Sequence, residues 1–294
     1  MLTIFSVPKP FQGHIGIIQR NAIHSWSRLH PSCEIILCGD EPGTEEIAAE
    51  FSAKCIHNIA RNEYGTPLLN SVFDQVEHMA SHRLMCYVNT DIILLSDFVR
   101  AVQRIPFRRF LMVGQRWNVN LTGLWDFGPD WEERLRGYVA ECGVLHPPLG
   151  SDYFVFPRDG AIEKLPPFVV GRPGWDNWLV YRARKLGIPV VDVTTVVTAV
   201  HQNHGYAHVS NRRGEAWEGP EADWNRKLIG SRYHLSYVFT LLDASHVMTR
   251  KALLPVRRRW QTRPILVLGR WPLVRFLEMV SDRLQSRRHL ASSH

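Results

Sequence analysis

The chain has 294 residues, is 45% hydrophobic and 21% charged, and carries a formal net charge of +7; this is a globular composition, which excludes a disordered or fibrous chain. The charge is uneven: residues 250–294 hold eleven Lys and Arg against two acids, Glu278 and Asp282, a net of +9 that leaves −2 for the rest. A nucleic-acid enzyme usually carries basic charge on its working surface; here the body is near neutral, so no nucleic-acid partner is expected, and the basic end reads as a docking or membrane-contact tail.

In chain order, residues 2–7 form an apolar, β-branched run that predicts a first strand. No basic segment precedes it, so a secretory signal is not expected. Residues 13–29 carry Ile15, Ile18, Ala22 and Trp26 at helical spacing. Residues 34–38 read as a second strand, ended by Gly39-Asp40. A helix starts at Thr44 with Glu45 and Glu46 in its first turn, where the helix dipole favours acids. A third strand follows over 54–59, and 67–80 reads as a helix with Leu69, Val72, Phe73, Val76 and Ala80 on one face. Residues 84–88 are a wholly apolar strand, followed at once by Asn89-Thr90-Asp91.

Alternating strands and helices, with continuously apolar strands, predict an α/β fold: a Rossmann-type, mostly parallel sheet covered by helices on both faces. Further strands are expected over 110–113, 153–156 and 189–193, and a helix over 175–186. Residues 114–150 are rich in Trp, Gly and Pro and resist assignment, and after Thr198 the pattern breaks into His-, Asn- and Trp-rich loops. The longest apolar runs, 92–95 and 265–268, fall far short of the ~18 residues of a membrane span. The five cysteines form no CxxC pair and read as reduced core thiols of a cytoplasmic protein. Domains are expected over 1–210, a catalytic body, and 211–294, an accessory region. In the latter, Pro272 starts a basic amphipathic helix whose apolar face holds Leu273, Phe276, Leu277, Val280 and Leu284. Such a helix suits the anionic face of a membrane; it equally suits packing on its own domain.

Ligands of open α/β sheets bind outside the carboxyl ends of the strands. That rule selects Pro8, Lys9 and Pro10 after the first strand, Asp40 after the second, Asn89, Thr90 and Asp91 after the fourth, and the region of His201 after the last. Neither the GxGxxG fingerprint nor the GxxxxGK[ST] loop is present, so a bound diphosphate needs a metal ion or side chains to neutralise it. Asp91 offers a hard oxygen ligand for Mg²⁺ or Mn²⁺; a polar turn ending the strand is the other reading. The run 201–208 contains His201, His204 and His208. They complete a site with Asp91, bind zinc by themselves, or form a hydrogen-bonded loop. Asp176 lies between Trp175 and Trp178 at a helix start, where indole faces suit sugar rings and a carboxylate suits proton transfer. Asp152 precedes a strand.

The sequence 64–70, YGTPLLN, followed by a helix, the strand 84–88 and Asn89-Thr90-Asp91, resembles the nucleotide-sugar half of a GT-A-type glycosyltransferase. The resemblance covers roughly residues 1–205. It implies transfer of a sugar from a nucleotide-diphosphate sugar to a hydroxyl of a glycan or lipid-linked acceptor, as in surface-polysaccharide assembly, with Mn²⁺ or Mg²⁺ as cofactor. By position, Asp91 matches the last acid of the family's DxD motif, and Asn89 stands where the first acid is, a departure that removes one charge. The resemblance places Pro8, Asp40, Asn70, Asn89, Thr90 and Asp91 at the donor, with Asp91, His201 and His204 at the metal. It puts Asp152, Trp175 and Trp178 at the acceptor, and Asp176 as the acceptor-side base. It suits a cytoplasmic enzyme, peripheral at the inner membrane face through its tail. A sugar nucleotidyltransferase fits less well, because SVPKPFQGH lacks that family's glycine-rich basic loop. The remaining alternative is a non-catalytic module that binds a glycan or sugar nucleotide.

Overall fold

The computed structural model describes residues 1–158, 165–204, 217–229 and 239–256. The expected mostly parallel α/β architecture is present. Strands β1 (Leu2–Ser6), β2 (Cys33–Cys38), β3 (Lys54–Ile56) and β4 (Leu84–Val88) alternate with helices α1 (Gly13–Ser27), α2 (Thr44–Glu50) and α3 (Leu69–Met79). The chain continues through β5 (Ile92–Leu94), α4 (Ser96–Gln103), β6 (Leu111–Val113), β7 (Trp117–Val119), α5 (Trp131–Cys142), β8 (Val144–Leu145) and β9 (Tyr153–Pro157). It closes with α6 (Trp175–Lys185), β10 (Val190–Asp192), β11 (Ala199–Gln202), α7 (Pro220–Ile229), β12 (His246–Met248) and β13 (Leu253–Pro255).

Nine strands form the main sheet in the order β13-β12-β10-β6-β9-β4-β1-β2-β3. All run parallel except β9 and β13, which oppose their neighbours. A second sheet, β5-β11-β7-β8, stands beside it. Strand alternation sends successive side chains to opposite faces, and two cores result. On one face Phe5, Ile36, Met85, Tyr87 and Phe154 pack against α3 and α6. On the other, Ile4, Leu37, Cys86, Val88 and Val155 pack against α1, α2 and α4. Each large apolar side chain buried there contributes about 1.5–3 kcal/mol. A third cluster fills the space between the second sheet and α5, with Ile93, Val119 and Val200 against Leu135 and Val139.

Three expectations are revised. The unassigned stretch 114–150 holds β7, α5 and β8, and the apolar run after Asp91 is β5. The region after Thr198 begins with a strand, β11, whose last two residues are polar and conceal it. The boundary near residue 210 falls inside the packed body: β12 runs parallel to β10, and Phe239, Leu241 and Ala244 join the first core. All five cysteines are free; Cys38 and Cys86 lie in the core as expected, whereas Cys33 and Cys55 are only partly buried and Cys142 is exposed. The amphipathic tail helix expected from Pro272 lies outside the described residues. Among the described residues, no helix is long and apolar enough to cross a membrane.

Candidate functional site

The main sheet reverses its winding between β1 and β4, because β2 and β3 extend one way from β1 and the remaining strands the other. Such a switch point opens a crevice at the carboxyl ends of the strands, and Asp91 stands at its edge, three residues beyond β4. The turn that carries it is stitched down. The Ser6 hydroxyl donates to Val88 O at 2.5 Å and lies 2.7 Å from the Thr90 hydroxyl, which in turn reaches Val7 O at 3.2 Å. Thr90 is buried and its hydroxyl is engaged with Ser6 and Val7, so it shapes the turn. Pro8 is buried beside it.

Asp91, His201 and His204 converge, with one ligand atom from each lying within 4.8 Å of the others. His204 Nε2 is 2.9 Å and His201 Nε2 3.7 Å from Asp91 Oδ2. The register of the second sheet brings this about: β11 pairs antiparallel with β5, setting His201 opposite Ile92, and the next pair along is Gln202 against Asp91. Burial would raise the Asp91 carboxyl, but His201, the hydrogen bond from His204, and Lys9 outweigh it and hold it well below the usual range. Burial is also the largest cause lowering His201, which keeps a ring nitrogen free of its proton. Asp91 Oδ1 and His201 Nδ1 are buried with no hydrogen-bond partner among the described residues. Unpaired buried polar atoms cost free energy, and a carboxylate with two imidazoles is a donor set that a divalent cation satisfies. His208 lies outside the described residues.

Behind the cluster is a polar network that the sequence did not disclose. Gln202 is fully buried. Its backbone N–H and its side-chain Nε2 both donate to Asp91 O at 3.2 Å. Nε2 also reaches Ile18 O at 2.8 Å, and its Oε1 accepts from Asn21 Nδ2 at 2.8 Å. Asn21 further bonds Gly123 O and accepts from Trp125 N. The pair therefore ties the backbone of Asp91 to α1 and to the 123–125 loop.

On the other side of Asp91, Asn89 has a definite task. The β4–β9 register places Asp152 across from it, and Asn89 donates Nδ2 to Asp152 Oδ1 at 2.7 Å and its backbone N–H to Asp152 O at 2.9 Å. Arg116 forms an ion pair with the second Asp152 oxygen and donates Nε to Asn118 Oδ1 at 3.0 Å. Asp152 is therefore engaged by the protein on both oxygens. Arg116 falls in the stretch that resisted assignment, and only the fold reveals it.

Asp176 enters from α6. Gly174 precedes that helix at φ +98°, a conformation that L side chains rarely adopt. The helix start aims the Asp176 carboxyl at the turn before β9. A Cβ at Gly150 would lie 2.7 Å from Asp176 Oδ2, so this glycine makes room for it. Burial pushes the Asp176 carboxyl up to about 6, with Asp152 adding to the rise, while the backbone N–H groups of Asn177 and Ser151 oppose it. Trp175 does not act as the sequence predicts. It is buried, with ring centroids 5.0 Å from Tyr87 and 5.1 Å from Phe154, so its faces belong to the core and not to a sugar. Trp178 is half-buried against Phe168.

Two further predicted residues lie along the β2 side. Asp40 is exposed and ion-paired with Arg61, whose hydrogen bond holds the carboxyl below its ordinary range. Arg61 also donates to Glu41 Oε1 at 3.0 Å and to Gly65 O at 2.6 Å, fixing the 61–67 loop beside the end of β2. Asn70 sits in the first turn of α3, its Oδ1 buried and without a partner among the described residues.

No family model and no curated protein matches this chain. Among solved structures, it is similar to glucosyl-3-phosphoglycerate synthase from Mycobacterium tuberculosis in complex with Mg²⁺ and uridine diphosphate. The identity is 15%, the TM-score 0.47, and 79% of each chain is covered. It is also similar to residues 1–349 of TarS from S. aureus, at 12% identity and a TM-score of 0.41, covering 69% of this chain and 57% of that one. A complex of the same TarS fragment with UDP-GlcNAc is similar at 11% identity and a TM-score of 0.40.

Proposed function

We propose that the protein transfers a glycosyl group from a nucleoside-diphosphate sugar to a hydroxyl acceptor. The observation that carries this reading is the convergence of Asp91, His201 and His204 at the switch point of a parallel sheet, linked through Asn89 and Asp152 to a second carboxylate of opposite character, Asp176. One carboxylate is held ionised and the other is raised, which is how a site separates a charge-binding role from a proton-transfer role.

In this reading Asp91, His201 and His204 hold Mg²⁺ or Mn²⁺, which when bound offsets the charge that develops on the departing diphosphate. Gln202 fixes the Asp91 backbone. Asn89, in place of an acid, spends its amide on Asp152 and so sets the spacing between the two halves of the site. Asp176 accepts the acceptor's hydroxyl proton as that oxygen bonds the anomeric carbon and the bond from that carbon to the diphosphate oxygen breaks. A carboxylate poised near 6 is largely ionised at neutral pH and still basic enough to take a proton. Asp40 and Asn70 face the nucleoside side.

The acceptor is a glycan or a lipid-linked sugar in this proposal. A peripheral place at the cytoplasmic membrane face belongs to the basic tail, residues 257–294, which lie outside the described residues. The test is calorimetric titration with UDP, GDP, CDP and ADP, each with Mn²⁺ and with chelator. One of them is expected to bind at least ten-fold more tightly with Mn²⁺, and Asp91→Asn is expected to abolish that gain. Binding indifferent to both metal and Asp91 would favour a module that binds sugar nucleotides without turning them over.

A further inference from the structure

We infer that Lys9 is the side chain that grips the donor's diphosphate, facing the Asp91 cluster from the β1 side of the crevice. The inference deepens the transferase reading and rests on it. Lys9 follows β1 just as Asp91 follows β4, and β1 and β4 are the adjacent strands at the switch point. Its backbone is fixed with unusual economy. The buried Gln19 accepts from Lys9 N at 2.7 Å and donates to Lys9 O at 2.8 Å. A glutamine wholly removed from solvent is thereby committed to holding one residue of a loop, with prolines on both sides.

Lys9 is half-buried, and among the described residues no acceptor lies within hydrogen-bond reach of its ammonium and no carboxylate within ion-pair reach. A half-buried lysine covers its stem and keeps its charged head accessible to an incoming anion. Burial lowers its proton affinity, Asp91 raises it, and Arg172 lowers it again. Arg172 is itself committed to Glu221, in an ion pair with both side chains buried. The Asp91 oxygen nearest the histidines is taken by His204. A cation whose backbone is fixed at the strand end next to that of Asp91, with no carboxylate in ion-pair reach among the described residues, matches a ligand with two or more negative charges. The diphosphate of the proposed donor is such a ligand, and no glycine-rich phosphate loop is present in the sequence to hold it instead.

A bound metal and the lysine would then act on the same diphosphate, and their contributions separate by experiment. The probes are the best-binding nucleoside diphosphate of the four above, its parent nucleoside, and inorganic pyrophosphate in chelator. Lys9→Met is expected to weaken the nucleoside diphosphate about ten- to a hundred-fold in Mn²⁺, the loss of a charge-assisted contact. It is expected to remove the residual binding of diphosphate and pyrophosphate in chelator, while nucleoside affinity stays within about two-fold. Lys9→Gln, which keeps a polar head without the charge, is the second variant and is expected to behave like Lys9→Met; unchanged melting temperatures establish that both fold. If wild-type and variant bind diphosphate equally, Lys9 is not the grip, and the transferase reading survives. If the wild type binds neither nucleoside diphosphate nor pyrophosphate, both fall.

Discussion

Asp176 makes a prediction whose sign is set by the fold. Its carboxyl rises from its ordinary value of 3.8 to about 6 because the folded chain buries it beside Asp152. Between those two values the folded state holds a proton that the unfolded state has released. Stability therefore falls as pH rises through this window and stays reduced above it. Two units correspond to about 3 kcal/mol at 1.36 kcal/mol each. The residue is only half-buried, and solvent screening trims the expected figure to about 1–2 kcal/mol. Asp176→Asn removes the charge and keeps an oxygen for the N–H groups of Ser151 and Asn177. Urea unfolding at pH 7.5 is expected to show the variant more stable than wild type by that amount, with the advantage nearly gone at pH 4. Under the proposed function, the same variant loses transfer at least a hundred-fold and still binds the nucleoside diphosphate. A variant less stable at pH 7.5, or an advantage equal at both pH values, would refute the reasoning.

Two other predictions follow from buried polar groups. Gln202→Leu removes three side-chain hydrogen bonds, to Ile18, Asp91 and Asn21; it is expected to cost about 2–3 kcal/mol in urea unfolding and roughly 5–10 °C in Tm. Arg172→Met leaves Glu221 buried with Thr66 and Asn62, the latter at 2.8 Å, as side-chain donors and is expected to cost about 3–5 kcal/mol at pH 7. In the wild type, burial raises the Glu221 carboxyl but Thr66, Asn62 and Arg172 bring it below its ordinary value. That contribution is present at neutral pH and lost as pH falls. The gap between wild type and Arg172→Met should therefore narrow in acid, and a gap that widens would contradict it.

The strands and helices that carry Asp91 and Asp176 were legible because their signals are local. An apolar run that ends in Asn-Thr-Asp, and a helix opened by glycine, need no distant partner to be recognised. Convergence of the histidines was legible only as a cluster, since strand β11 itself was hidden. What escaped is non-local. Asn89 meets Asp152 across 63 positions and Asn21 meets Gln202 across 181, and these pairings come from sheet register, which a single strand does not state. Trp175 was misread for a geometric reason. Successive helix residues point about 100° apart, so a helix that turns Asp176 toward the site turns its neighbour into the core.

The direction of β9 has a consequence for how such a molecule changes over time. Because β9 runs against β4 and β6, it begins at the crevice, so the chain from Gly114 to Asp152 leaves the functional edge and returns to it. That excursion contains β7, α5 and β8, delivers Arg116 and Asp152, and positions the Ser151 N–H at Asp176. Its exposed rim includes Leu124, Val144 and Leu149. Lengthening or rewriting the 143–149 part of it leaves β1, β4, the 123–125 loop and the Lys9 and Asp91 turns in place. Under the proposed function, selection can alter what the Asp176 side accepts while the diphosphate side stays fixed, so the two specificities can drift independently.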